Sequence, residues 1–228
     1  MRTVLVTGGT RRLGAAIARK LAADGWRVIV SSHRALANMK ELGDVPGIEL
    51  MKGCDLAREG GADELYWKAV SLAGGKLDAV VNNAALFRGA AGTLMTVNAV
   101  APRRIMELVR LRGGAVVNIL DTHVVSVWRR NTGRKFPVGE GENGRCLDSK
   151  YALLEATVRF AEKSTPAFRV NAVAPGPVLA PEQAREKAGR LLAARPTPGA
   201  VANAVAFLLD TPSATGVIIP VDGGQHLL

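Results

Sequence analysis

The chain is poor in cysteine and in aromatic side chains, and it has no long uncharged run. Cys54 and Cys146 are its two cysteines, and a pair without metal-ligand spacing builds neither a disulfide framework nor a metal site. Aromatic residues make up 4% of the sequence, which leaves no stacking platform for single-stranded nucleic acid. No stretch approaches the ~18 apolar residues of a membrane span. Met1-Arg2 leads into a strand-like segment rather than a secretory leader. The expectation is a cytoplasmic protein with no membrane partner. Its length fits one domain over residues 1–228, and 48% hydrophobic residues suffice for a sizeable core.

Acidic residues are also scarce. Lys and Arg number 30 against 20 Asp and Glu, a formal charge of +10. A nucleic-acid partner is one reading, through Arg129, Arg130, Arg134 and Lys135 in "RRNTGRK". The excess is dispersed, however, with other pairs at 11–12 and 103–104. A basic solvated surface and a small anionic ligand fit better, and no nucleic-acid partner is expected.

Short β-branched runs alternate with amphipathic stretches. Strands are predicted over 3–7, 27–32, 47–52, 77–83, 114–120, 168–175 and 216–221, and helices over 12–24, 34–42, 60–73, 95–111, 147–164, 182–194 and 198–210. Several strands are apolar throughout, as in a sheet covered on both faces. The pattern implies an α/β fold, a doubly wound parallel sheet of about seven strands. Residues 129–145 are basic, Gly-rich and aperiodic, and read as a long loop.

After the first strand comes "TGGTRRLG", residues 7–14. Gly8 and Gly14 allow a backbone to approach a pyrophosphate, and the free N–H groups of the helix start would bind it. A purely structural β-α turn would use the same glycines. The second strand lacks a terminal acid: it ends in Ser31, Ser32, His33 and Arg34. A carboxylate there suits the ribose hydroxyls of NAD and repels a 2′-phosphate, whereas hydroxyls and a guanidinium attract one. Arg12 and Arg34 therefore make sense together as counter-charges for NADPH, the alternative being two solvated arginines.

With these residues in hand, the chain resembles the short-chain dehydrogenase/reductase family from Thr3 to its end. The turn, with Gly8, Thr10, Arg11, Arg12, Leu13 and Gly14, is similar to the family's cofactor turn. "CDL" (Asp55, Leu56) resembles its adenine-side pair, and "VVNNAA" (Asn83, Ala84, Ala85) its Asn-Asn-Ala-Gly strand end. "VNAVAP" supplies Asn98, "RVNAVAPGPV" the Pro175, Gly176 and Val178 that reach the nicotinamide, and "VDGG" the C-terminal segment. Within the family it is most similar to pteridine reductases and dihydromonapterin reductases. They carry Arg at the turn's middle glycine, as at Arg12, and Asp in the usual place of the catalytic Ser, as at Asp121 in "VVNILDTH". The resemblance implies a small-molecule substrate and a homodimer or homotetramer paired through the helices 95–111 and 147–164.

The resemblance implies a catalytic set of Asn98, Asp121 and Lys150, and here it meets a departure. The family's proton donor is a Tyr four residues before the Lys, and that position holds Cys146. Tyr151 cannot substitute, since at about 100° per residue it points well away from Lys150 and roughly 140° from Cys146. A thiol with an ordinary pKa of about 8.5 could give up a proton, yet its sulfur ends roughly 3–4 Å short of a tyrosine oxygen, about a hydrogen-bond length. A water could close that gap, or Asp121 could deliver the proton if burial kept it protonated. Otherwise Cys146 is a small half-buried residue in a site without its acid. Two other departures follow: 14 residues separate Asn83 from Asn98, a shortened wall, and Ala180 stands where many members have a carboxamide-binding Thr. The 182–194 helix would be a substrate lid. His33 is expected beside the adenosine and His226 at a packing or subunit contact. His123 either faces the pocket or is a solvated loop residue.

Overall fold

The computed structural model describes residues 1–33, 42, 45–130, 141–178 and 189–228, with 130 and 141–144 as backbone. Seven parallel strands are seen among them: β1 (Thr3–Val6), β2 (Arg27–Ser31), β3 (Ile48–Met51), β4 (Ala79–Asn82), β5 (Gly114–Ile119), β6 (Phe168–Pro175) and β7 (Ile218–Val221). Their order is β3-β2-β1-β4-β5-β6-β7, the doubly wound sheet expected from the strand-helix alternation. Alternate side chains of each strand enter different layers. Val4 and Val6 pack with α1 (Arg12–Ala23) and α7 (Pro198–Asp210) on one face. Leu5 packs with α2 (Gly61–Leu72), α4 (Ala101–Arg112), α5 (Thr122–Arg130) and α6 (Gly141–Ala161) on the other. Both layers bury the central strands, which explains the consecutive apolar residues of β1, β2, β4 and β5.

Strand order reverses between the parallel neighbours β1 and β4, so the crevice at their C-terminal ends is the switch point where such sheets bind ligands. A buried polar ladder stiffens the sheet beside it. Asn82 donates to Asn118 Oδ1 at 2.8 Å, and Asn118 donates to Thr157 Oγ1 of α6 at 2.8 Å.

Three elements differ from the sequence expectations. The 129–145 loop is replaced at both ends by helix: α5 runs through Arg130 and α6 begins at Gly141. The α5 sequence "THVVSVWRR" buries Val124 and Val125 against the core, a short amphipathic stretch that a loop reading passes over. The 95–111 helix begins earlier, as α3 (Ala91–Met95) followed by a π-helical turn, Thr96–Val100. Pro102 has no N–H to donate to the Asn98 carbonyl, which accounts for the wider turn there. Within 182–194, residues 189–194 are not helical, so the lid helix does not reach that far. The rest of that segment, Ala180, and most of the 34–42 helix lie outside the described residues.

Candidate cofactor and active site

The turn after β1 is built so tightly that glycine is a packing requirement. Gly8 adopts φ +63°. A Cβ on Gly9 would sit 2.6 Å from Val30 Cγ1, and one on Gly14 only 2.4 Å from the Gly8 carbonyl oxygen. These contacts seat α1 directly on the turn, with Arg11 in extended conformation as its N-cap. Arg11 makes no side-chain capping bond and no acid occupies the first turn, so the helix presents its N–H groups and positive end to the crevice. Thr10 and Leu13 are buried beside them.

Arg12 is the one non-glycine with positive φ among the described residues, at +52°. An L-residue pays about 1 kcal/mol for that conformation, which a glycine would avoid. Strain of this kind persists where a side chain has work to do. It coincides with the middle glycine place of the turn.

On one side of the turn the end of β2 packs down. Gly8 N donates to Ser31 Oγ at 3.3 Å, and Cys54 N to the Ser32 carbonyl at 3.0 Å. The exposed His33 ring lies 3.5 Å from Asp55, and the Asp55 carboxylate accepts from Ala57 N at 2.8 Å. Leu56 is buried. Arg34, expected as a partner for Arg12, lies outside the described residues. On the other side, Asn83 is committed to the turn itself. Its Nδ2 donates to the carbonyls of Thr7 and Gly8 at 2.9 and 3.2 Å. The N–H groups of Asn83 and Ala84 both donate to Thr7 Oγ1 at 3.0 Å. Ala85 is half-buried next to them. Pro175 ends β6, Gly176 N donates to the Val221 carbonyl at 3.0 Å, and Val178 is buried.

Deeper in the crevice, α6, β5 and the π turn bring together Asn98, Asp121, Cys146 and Lys150. Lys150 is 4% exposed and donates to the Ile119 carbonyl at 2.8 Å. Burial pulls its pKa down, opposed by Cys146 and Asp121. Cys146 shares the α6 face with it and is buried. Burial pushes the thiol up, Lys150 draws it down and Asp121 raises it. The thiol points to the Leu86 carbonyl at 3.5 Å, with Asn98 Nδ2 at 4.0 Å.

Asp121 is not a buried acid. Its side chain is 32% exposed, and Oδ1 accepts from His123 N at 2.9 Å and from His123 Nδ1 at 2.7 Å. The first bond is an N-cap for α5, so the full burial on which proton delivery by Asp121 was conditioned is not found. Nor is His123 a loop residue, since it belongs to α5. Asp222 accepts from Thr122 Oγ1, from Gly224 N at 2.9 Å and from His226 N at 2.8 Å. His226 Nδ1 also lies 2.9 Å from Asp222. Sequence reasoning passed over Thr122 and Ser149, next to Asp121 and Lys150 in the chain, and Asp222 and Gln225, which only the folded chain brings near the site. The signal for Asp222 was an acid immediately before two glycines at a strand end.

A parallel sheet with a glycine-sealed turn at its switch point defines a Rossmann-type α/β protein. The family model for short chain dehydrogenase matches residues 2–134, and the chain belongs to that family. FolM alternative dihydrofolate reductase 1 from Brucella suis, solved in complex with NADP, superposes with a TM-score of 0.81. It is 31% identical, over 100% of this chain and 96% of that one. Carbonyl reductase family member 4 of Danio rerio is 30% identical over 254 residues, 100% of this chain and 99% of that protein. The 3-oxoacyl-[acyl-carrier-protein] reductase MabA of Mycobacterium tuberculosis is 31% identical over 244 residues, 99% of this chain and 93% of that protein. No helix among the described residues is long and apolar enough to cross a membrane.

Proposed function

We propose that the chain is an NADPH-dependent reductase of a small C=N or C=O substrate, with a pterin as the favoured class. The observation that carries this reading is Arg12, a cation held at φ +52° at the start of α1. The neighbouring strand β2 ends at Ser31, with Ser32 and His33 after it, in place of an acid. The glycine cradle and helix start would hold the pyrophosphate, and Arg12 with Ser32 and Arg34 the phosphates around it. Asp55 and Leu56 would flank the adenine, and Pro175, Gly176 and Val178 the nicotinamide. When bound, NADPH supplies the hydride; the protein must orient the substrate and provide one proton. Lys150, Asn98 and Asp121 would shape that proton path, with Cys146 in the usual place of the tyrosine. The pterin class draws support from the FolM neighbour and from Asp121, and a ring nitrogen already basic demands less of a positioned acid than a ketone does.

The test is NADPH oxidation with dihydropterin and biopterin beside ketone and quinone substrates, after titration with NADPH and NADH. A protein that ignores NADPH, or prefers NADH, overturns the reading. A second reading is a catalytically weakened NADP(H)-binding protein acting as a regulator or partner subunit. The Cys146 thiol turned toward the Leu86 carbonyl favours it. It requires tight NADPH binding without turnover, and activity gained by Cys146→Tyr. Pairing of copies through α4 and α6 as a dimer or tetramer is part of the proposal, measured by light scattering.

A further inference from the structure

We propose that His123, held by Asp121, delivers the proton in this crevice, the role for which Cys146 is badly placed. The inference rests on the reductase reading and adds the missing acid to it. Cys146 directs its sulfur at a backbone carbonyl and lies too short to reach where a phenol would act. Lys150 is buried against the Ile119 carbonyl. Asp121, whose charge acts on both Cys146 and Lys150, holds the His123 ring, whose side chain is 59% exposed to solvent.

The geometry is that of a carboxylate-imidazole pair. Asp121 Oδ1 fixes Nδ1 at 2.7 Å and the residue's own N–H at 2.9 Å, so ring and backbone are gripped by one oxygen. A carboxylate on Nδ1 sets the tautomer and leaves Nε2 as the working nitrogen. Nε2 lies 3.4 Å from Gln225 Nε2, a contact weak enough for a substrate to displace. As placed, the Gln225 amide donates to a neutral ring, while its Oε1 is buried without a partner among the described residues. Rotating the amide by half a turn exchanges oxygen for nitrogen and gives Oε1 a partner in a protonated ring. The crevice thus accommodates His123 both before and after proton loss.

The surroundings favour the charged ring. The hydrogen bond that His123 donates to Asp121 raises the His123 pKa, burial opposes it, and the charges of Asp121 and Asp222 add to the rise. The other titratable groups around this corner are Cys146 and Lys150 on α6, His226 in the C-terminal turn, and Arg190, which lines the adjoining crevice with Asp222 and Gln225. In the step itself, the hydride that bound NADPH would supply to the substrate carbon would move the C=O or C=N π pair onto oxygen or nitrogen. That pair takes the proton from Nε2, the N–H bond breaks and an O–H or N–H bond forms. The ring is left neutral with Nδ1–H on Asp121, and solvent restores the proton.

The experiment combines ring NMR titration of the unliganded protein with kcat–pH profiles for wild type, His123→Gln and Asp121→Asn. The chain has 3 histidines, and His123→Gln assigns the resonance. The expected titration of His123 lies above the ordinary histidine value and falls back toward it in Asp121→Asn. Wild-type kcat should drop as pH rises through that titration, and the drop should move to lower pH in Asp121→Asn. His123→Gln should lose roughly 10²-fold or more in kcat with NADPH affinity retained. An active wild type whose kcat and pH profile survive His123→Gln overturns this inference alone. A wild type that binds NADPH and turns over nothing overturns the reductase reading, and proton delivery with it.

Discussion

Asn98 grips Leu86 from both sides: its Nδ2 donates to the Leu86 carbonyl at 2.8 Å and its Oδ1 accepts from the Leu86 N–H at 2.8 Å. The same carbonyl receives the Cys146 thiol, and the same Nδ2 reaches Ser149 Oγ at 3.0 Å. One fully buried amide therefore ties the segment after β4 to α6. In this chain the segment is short, and the tie fixes it against Cys146.

Removing that amide should cost stability as well as shape. Asn98→Ala leaves a backbone donor and acceptor of Leu86 to find new partners, a loss of about 2 kcal/mol. Urea unfolding measures it. A change below about 0.5 kcal/mol, typical of a neutral surface substitution, would contradict the tie.

Two glycines give a matched test of the phosphate turn. A methyl at Gly14 would meet the Gly8 carbonyl oxygen at 2.4 Å, whereas one at Gly92 in α3 meets nothing within 4 Å. Gly14→Ala must therefore lift α1 off the turn, destabilising the fold by about 1–3 kcal/mol and weakening NADPH at least about tenfold. Gly92→Ala should be neutral or gain up to about 1 kcal/mol. Thermal melts and NADPH fluorescence titration compare the two, and equal behaviour would sink the argument.

The fold was legible because its signals are local: continuous apolar strands, helical periodicity between them and a glycine turn after the first. The glycine turn at the switch point was legible for the same reason, as Gly8 follows β1, Gly14 lies in the first turn of α1, Asn83 follows β4 and Pro175 ends β6. What escaped was long-range. Asp222 meets Thr122 across 100 residues of chain, and Gln225 meets His123 across 102, pairings with no local periodicity. The helix Thr122–Arg130 was hidden because its basic end merges with a Gly-rich stretch. Asp121 could be placed by resemblance, but its exposure and its hold on His123 depend on how α5 begins.

Arg12→Gly separates charge from backbone. Glycine takes φ +52° without penalty, so the turn keeps its shape while the cation is lost. NADPH affinity should fall about tenfold, as for one charge-assisted hydrogen-bond partner, and its salt dependence should flatten. NADH affinity should fall less if Arg12 serves the extra phosphate. Parallel titrations of both nucleotides at two ionic strengths read this directly. An unchanged preference would remove Arg12 from phosphate recognition.

Asp222 should set part of the acid limit of the fold. It is 4% exposed. Burial pushes its pKa up, but hydrogen bonds from Thr122, His226 N, Gly224 N and the His226 ring outweigh that and hold it below the ordinary carboxylate value. A carboxyl with a depressed folded pKa releases its proton more readily folded than unfolded. Its stabilisation is therefore complete above the unfolded value of about 4 and is lost as pH falls through the lower folded value. Asp222→Asn should lower stability at neutral pH, since it removes the charge that Thr122, Gly224 and His226 hold. It should also flatten the decline below about pH 4, because one fewer proton is taken up on unfolding. Denaturant midpoints from pH 7 to 3 measure both effects. A variant whose stability runs parallel to wild type over that range would mean that Asp222 is not held ionised by these partners.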